Sequence, residues 1–256
     1  MKVSVPINAA KQTMEIIDIL GSSNGLTLSE LATDLDMPRS TVHDYLQTLM
    51  KLDYVEHHEN GYHLSTHILE IGTRRRLQME IYRTAKSELI QLADETEEHV
   101  TLVTEEHGMG VLLDTVMGAK AVEVFANDGT RTYLHTTAPG KAILAHMPEE
   151  RRNAILDSYN GDDLPAFTNK TLTDREELFD EFEDIRDRGY AFDRNEALDG
   201  MQGVGAPIIR RNKNTVVGAV SVYAPQNRIT VEEFEKEISE LLLQTTNVIE
   251  INLTYS

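Results

Sequence analysis

The stretch Leu28 to Tyr54, LSELATDLDMPRSTVHDYLQTLMKLDY, leaves this chain little freedom in how it folds. Leu28, Leu31, Ala32 and Leu35 recur three and four apart, which puts one apolar stripe on a short helix. Thr27 and Ser29 are N-cap residue types ahead of it. Asp36-Met37-Pro38 ends it, because proline disfavours helix in the residue before it. A second helix begins near Pro38, which is tolerated in a first turn, and it turns Val42, Tyr45, Leu46, Leu49 and Leu52 inward. Two short helices joined by a tight turn, the second polar outside, form a helix-turn-helix. That motif lays one helix in the DNA major groove. Arg39, Ser40, Thr41, His43, Asp44 and Gln47 remain on the outer face. They are short or bidentate hydrogen-bonding side chains, the types that read base edges and phosphates.

The next segment extends the motif. Tyr54–His58 and Tyr62–Leu64 are extended runs separated by Glu59-Asn60-Gly61. Asn-Gly predicts a type I′ hairpin, whose two central positions both need positive φ. A hairpin directly after a helix-turn-helix is the wing of a winged helix. Thr27 at the first helix start, Pro38 at the second and Asn60 at the wing complete the candidate DNA contacts.

Charge enters here because it opposes this reading. The chain carries 43 acids against 24 bases, a formal net charge of −19. Residues 1–64 alone hold four Lys or Arg against nine Asp or Glu. Non-specific DNA affinity normally comes from basic side chains that displace counterions. Either the domain does not bind DNA, or it works in molar salt, where the Debye length shrinks to about 3 Å. The acids are scattered over predicted solvent faces, arginine outnumbers lysine, and tryptophan is absent. Such a surface favours the second explanation and a salt-accumulating halophile. Cysteine is absent too, which excludes disulfides, thiolate metal sites and thiol catalysis. Without a signal peptide, a long apolar run or a lipidation motif, the expectation is a soluble cytoplasmic protein with no membrane contact.

A length of 256 residues suits two modest domains. Residues 6–20 predict a first helix with Ala10, Met14, Ile17 and Leu20 at helical spacing and Gly21 as the stop. After the wing, Ser65 can cap a helix through Leu69, Ile71 and Leu77 that carries Arg74-Arg75-Arg76 and then Arg83 and Lys86. This basic stretch reads either as a solvated face or as a phosphate-contacting dimer linker. A further helix is predicted over 83–98, with Ala85, Leu89, Leu92 and Ala93 inward. Strands follow at Val100–Val103, Val111–Val116 and Val122–Phe125, helices at Ala138–Ala145 and 173–188, strands at Gly205–Ile209 and Val216–Tyr223, and a closing helix over 230–252. The fold class expected is α+β: a winged helix-turn-helix over 1–66, a linker helix over 67–82, and over 83–256 a mainly antiparallel sheet flanked by helices.

YLHTTAPGKAILAHMP (133–148), RGYAFDRNEALDGMQGVGAPI (188–208) and VVGAVSVYAPQNRI (216–229) closely resemble the effector domain of IclR-type transcriptional regulators. The N-terminal segment resembles the winged helix of the same family. The resemblance spans nearly the whole chain. It implies a dimer or tetramer on a palindromic operator of double-stranded DNA, and a GAF-like domain that holds a small organic effector. Control of a catabolic operon follows as an expectation. Two departures matter. Asp44 stands where the family often has Arg, so an acid on the recognition helix must accept from cytosine N4 or orient Arg39. Gly203 stands where some members carry a cysteine in the effector pocket.

Thr136–Lys141 joins small residues to a helix N-terminus, where Ala138, Pro139 and Gly140 stand and where free backbone N–H groups and the helix dipole suit an anion. Asp193 and Glu196, in a turn-like segment ending at Gly200, can take ligand hydroxyls. Ser221 and Tyr223 alternate onto one strand face, and the resemblance maps pocket residues to both. The candidate effector residues are these, with Gly203. His57, His58, His63 and His67 cluster around the wing, but no carboxylate or thiolate partners complete a zinc site, and no metal or other cofactor is expected. No catalytic motif is present, so no catalytic residue and no enzyme activity are expected. The alternative is a ligand-binding or enzymatic domain whose winged helix makes protein contacts. A docking face of that kind would be apolar between Pro38 and Lys51, and this one is polar.

Overall fold

The helix-turn-helix forms. In the computed structural model, which describes residues 5–122, 127–159 and 164–255, α1 (Asn8–Gly21), α2 (Leu28–Asp34) and α3 (Arg39–Lys51) precede the hairpin β1 (Val55–His58) and β2 (Gly61–Leu64). Thr27 and Glu30 close a capping box on α2, each side chain accepting from the other's backbone N–H. Ile16, Leu20, Leu31, Val42, Leu46, Leu49 and Val55 form the core of this unit. The inner stripe of α1 is therefore Ile16 and Leu20. Ala10 and Met14, named above for their helical spacing, face out. The hairpin also departs from expectation. His58 pairs with Gly61, so Glu59 and Asn60 are the central residues, and neither has positive φ. A type I′ turn is thereby excluded. Gly61 is needed for another reason: at φ 122, a Cβ there would stand 2.5 Å from the Leu26 carbonyl oxygen, with which Tyr62 bridges.

The chain divides into two compact units, Met1–Arg76 and Leu77–Ser256. Ser65 accepts from the His67 N–H at the start of α4 (His67–Gln78), and Met79 in extended conformation separates it from α5 (Glu80–Thr96). The helix expected to carry Arg74 through Lys86 is thus two helices. Arg83 Nη1 donates to the Leu77 and Gln78 carbonyls at 3.0 Å, capping the end of α4, and Met79 packs against the apolar core of the second unit.

That unit is built on six strands: β3 (His99–Glu106), β4 (Met109–Met117), β5 (Arg131–Tyr133), β6 (Ala191–Arg194), β7 (Met201–Arg210) and β8 (Thr215–Pro225). Their order is β5-β4-β3-β8-β7-β6, every neighbouring pair antiparallel. The α+β expectation holds. Strand parity decides the layers. Val100, Leu102, Val204, Ala206, Val220 and Val222 face α5 and the C-terminal helix, which α9 (Val231–Glu233) and a π-turn lead into α10 (Ser239–Tyr255). The opposite face meets α6 (Ala138–Ala145), α7 (Glu149–Asp157) and α8 (Arg175–Arg188). The predicted α6 matches to the residue. The strand expected at Val122–Phe125 lies, over 123–126, outside the described residues. β5, α7 and β6 were not foreseen, and β6 places Asp193 on an edge strand instead of in a turn. No helix among the described residues is long and apolar enough to cross a membrane.

Candidate ligand pocket and nucleic-acid interface

A row of residues crosses the sheet beneath α6. Register pairs Asp193 on β6 with Gly203 on β7, Gly203 with Tyr223 on β8, and Tyr223 with His99 on β3. The next row on the same face is Gly205, Ser221 and Thr101. The two glycines, alternating on β7, remove side chains where two other groups must lie. A Cβ on Gly203 would stand 2.6 Å from the Tyr223 ring, and one on Gly205 would stand 2.6 Å from the Ala138 carbonyl carbon. The tyrosine ring lies over the first position and the start of α6 lies on the second. No cysteine at 203 is compatible with this Tyr223.

The ring placement sets a hydrogen-bond chain. Tyr223 Oη accepts from the Ala138 N–H at 3.2 Å and donates to Asp193 Oδ2 at 3.1 Å. Asp193 Oδ1 accepts from the Glu196 N–H at 2.7 Å. Lys141 Nζ, fully buried, donates to Glu196 Oε1 at 2.6 Å, an oxygen that also accepts from the Arg194 N–H; Glu196 Oε2 has no partner among the described residues. Burial, and next the charge of Glu196, push the Asp193 carboxyl up to about 7. Burial, then the Asp193 charge, raise the Tyr223 phenol well above its usual range, so burial works against the charged form of both groups.

Beside this chain opens a cavity of about 300 Å³. Pro139, Asp193 and Tyr223 line it. Ala138, Gly140, Glu196, Gly203 and Ser221, also read above as effector residues, are not among the residues that line it. The anion-binding role expected of the α6 start does not survive. Ala138 N–H is held by Tyr223, Pro139 has no N–H, Gly140 N–H goes to Thr137 Oγ1 at 3.2 Å and Lys141 N–H to the Thr137 carbonyl. Ser221, expected to take a ligand hydroxyl, is fully buried, and its Oγ is 2.5 Å from Thr101 Oγ1 in a buried pair. Thr137, from the segment singled out above, lines the cavity too, and the sequence reading missed His99, Thr101 and Thr132, which also line it. The alternation of His99 and Thr101 was the available signal, but the strand was started at Val100. Burial lowers the His99 pKa, so its ring is neutral, and Nδ1 has no partner among the described residues.

In the first unit Arg39, Ser40, His43 and Asp44 are exposed on α3, and Thr41 and Gln47 are half-buried beside them. Pro38 is the N-cap of this helix. Asp44 Oδ1 lies 3.5 Å from His43 Nδ1, so the acid neighbours His43 and does not orient Arg39. Arg39 holds no ion pair or side-chain hydrogen bond among the described residues. Thr27 is engaged with Glu30, and Asn60 links the Asn24 carbonyl to His63, so both build the scaffold of the motif. The wing histidines are likewise engaged: His58 with Glu56 at 3.0 Å, His67 with Glu70 at 3.4 Å, and His57 against the Tyr62 ring.

Two family profiles match the chain. One, described as IclR helix-turn-helix domain, covers residues 9–59. The other, described as Bacterial transcriptional regulator IclR C-terminal, covers residues 75–251. The chain is 33% identical over 251 residues to the Probable HTH-type transcriptional regulator ArcR of Halobacterium salinarum, spanning 96% of this chain and 94% of that one. With the HTH-type transcriptional regulator KdgR of Escherichia coli it shares 25% identity over 237 residues, 92% of this chain and 89% of that one. Among solved structures, the IclR of Thermotoga maritima superposes with a TM-score of 0.81 at 30% identity, covering 97% of this chain and 99% of that one. An IclR homolog from Microbacterium hydrocarbonoxydans, crystallised with 4-hydroxybenzoate, shares the fold with a TM-score of 0.81 at 22% identity, covering 96% and 99%.

Proposed function

Because the chain belongs to the IclR family of transcriptional regulators, with a helix-turn-helix DNA-binding domain and a C-terminal effector domain, we propose that it is a one-component metabolite switch for a catabolic operon. Its α3 enters the major groove of a palindromic operator, with Arg39, Thr41, His43 and Gln47 toward the bases. Asp44 accepts from a cytosine amine, and Pro38 and Ser40 approach the backbone. The effector sits in the cavity beside Asp193, Tyr223 and His99. The single observation that carries this reading is that cavity, roofed by α6 and walled by buried polar groups, in a chain whose α3 keeps its polar face exposed.

A winged helix alone offers a small interface, so the protein acts as a dimer, or as a tetramer built from dimers. Ile7 and Met14 near or on α1, and Leu69, Ile71 and Leu77 on α4, are exposed apolar side chains suited to that contact. The relatives are named as regulators, and the role proposed here includes no catalysis. The scattered acids fit a cytoplasm of molar salt, where phosphate repulsion is screened within about 3 Å. A gel shift on DNA upstream of the chain's own gene cluster, run in molar potassium chloride, tests the proposal. A discrete complex that a metabolite of that cluster dissolves or strengthens is the expected result. Equal retention of random DNA overturns it.

A further inference from the structure

We propose that the ligand of the cavity under α6 is an uncharged, hydroxyl-bearing ring compound of monosaccharide size, and that the site discriminates against carboxylates. This rests on the reading of that cavity as the effector site. It follows from which polar groups of the wall are free and which are taken.

A carboxylate in a buried site needs a cation or a pair of free N–H groups. Neither is present. No Lys or Arg lines the cavity among the described residues, and residues 123–126 and 160–163 contain none. The nearby buried cation, Lys141, is held by Glu196 at 2.6 Å. The N–H groups at the start of α6 are all bonded within the protein. Among the described residues the ionisable acid of the wall is Asp193, which disfavours a second carboxylate beside it whenever it is charged. The wall's imidazole, His99, is neutral because of burial and supplies no charge in return.

The free groups describe the complementary ligand. His99 is 5% exposed, and its Nδ1 is a buried atom without a partner among the described residues. A neutral imidazole offers one donor and one acceptor. Thr132 has no side-chain hydrogen bond among the described residues. Each Asp193 oxygen accepts one bond within the protein and has a further lone pair. Mixed donors and acceptors on a small wall match hydroxyl groups, each of which both donates and accepts. Val103, Leu112, Leu198 and Met201 supply an apolar surface for the C–H face of a ring. The volume of about 300 Å³ is at the small end of ligand sites.

Isothermal titration of the full chain in molar potassium chloride, with probes matched except for charge, tests this. The pairs are D-glucose with D-glucuronate, D-galactose with D-galacturonate, and 4-hydroxybenzyl alcohol with 4-hydroxybenzoate. At least one neutral member should bind, roughly tenfold or more tightly than its carboxylate partner. His99→Leu should weaken that binding roughly tenfold. Asp193→Asn should narrow the gap within the pair, a change that a purely structural role for Asp193 does not produce. A carboxylate that binds as tightly as its neutral partner, or failure of every neutral probe to bind, overturns the proposal. Ala197→Trp, checked for folding by circular dichroism, fills the cavity and separates the two levels. If neutral probes still bind this variant, the cavity is not the site and the underlying reading fails. If only the charge preference is absent in the wild-type chain, the site stands and the ligand class is wrong.

Discussion

The phenol of Tyr223 reaches Asp193 across Gly203, from two strands away: Oη lies 3.1 Å from Asp193 Oδ2, and a Cβ on Gly203 would come within 2.6 Å of the ring. Two strand spacings are roughly 9–10 Å, a gap that a tyrosine lying flat over a glycine can bridge. The same oxygen receives the first N–H of α6, so one side chain ties β6, β8 and α6 together at the cavity wall.

Gly203→Ala should therefore force Tyr223 out of its seat and destabilise the chain by about 1–3 kcal/mol, the usual cost of overpacking. Pairing it with Tyr223→Ala should couple by at least about 0.5 kcal/mol, because the two changes compete for one space. Urea denaturation of the single and double variants measures this. Additive effects would show that the ring and the glycine do not compete.

Lys141 and Glu196 are both buried and bonded to each other at 2.6 Å. Lys141→Met should cost about 3–5 kcal/mol, since it leaves a buried carboxylate without its cation. The double change Lys141→Met with Glu196→Gln should recover most of that loss, as measured by chemical denaturation. Equal losses in the single and double variants would mean that packing around the lysine stem, and not charge, sets the cost.

Asp193 gives a pH dependence of opposite sign to an ordinary salt-bridged acid. Its folded pKa is raised from 3.8 to about 7 by burial first and by Glu196 second. Between those values the folded chain binds more protons than the unfolded one. This group's contribution is fully present below the unfolded pKa and is lost as pH rises through about 7. A tenfold difference in proton affinity between the folded and unfolded chain is worth about 1.4 kcal/mol. The difference between wild-type and Asp193→Asn stability, followed by denaturation at a series of pH values, should fall across that window and level off above it. A flat difference curve would show that Asp193 is charged throughout.

On α3, Arg39→Ala or Gln47→Ala should weaken operator binding by about 1–3 kcal/mol and leave random-DNA binding much less affected. Equal losses on both DNAs would make these side chains phosphate contacts. Salt-dependence slopes distinguish the two roles, because only phosphate contacts lower the slope.

Exposed Met14 on α1 and Leu69 on α4 should hold the dimer. Light scattering in molar potassium chloride should give at least a dimer at micromolar protein, and Met14→Glu with Leu69→Glu should shift it toward monomer. A monomeric wild-type chain would remove the dimer from the proposed mechanism.

The sequence by itself determined the elements whose causes are local. Leucine spacing, Pro38 and the Thr27 cap define the helix-turn-helix over a few turns of chain, and alternation located half of β3 and β7 and most of β4 and β8. Asp193 and Tyr223 were identified as pocket residues, and both line the cavity. Tertiary structure alone decided which polar groups remain free to meet a ligand. Ser221 is bonded to Thr101, 120 residues away, and Lys141 to Glu196, 55 residues away. The N–H of Ala138, free by any local rule of helix ends, is taken by Tyr223 at a separation of 85. Hydrogen-bond capacity is a property of residue type and can be read from the sequence. Whether it is already satisfied depends on neighbours brought together by strand register, and no local pattern encodes that.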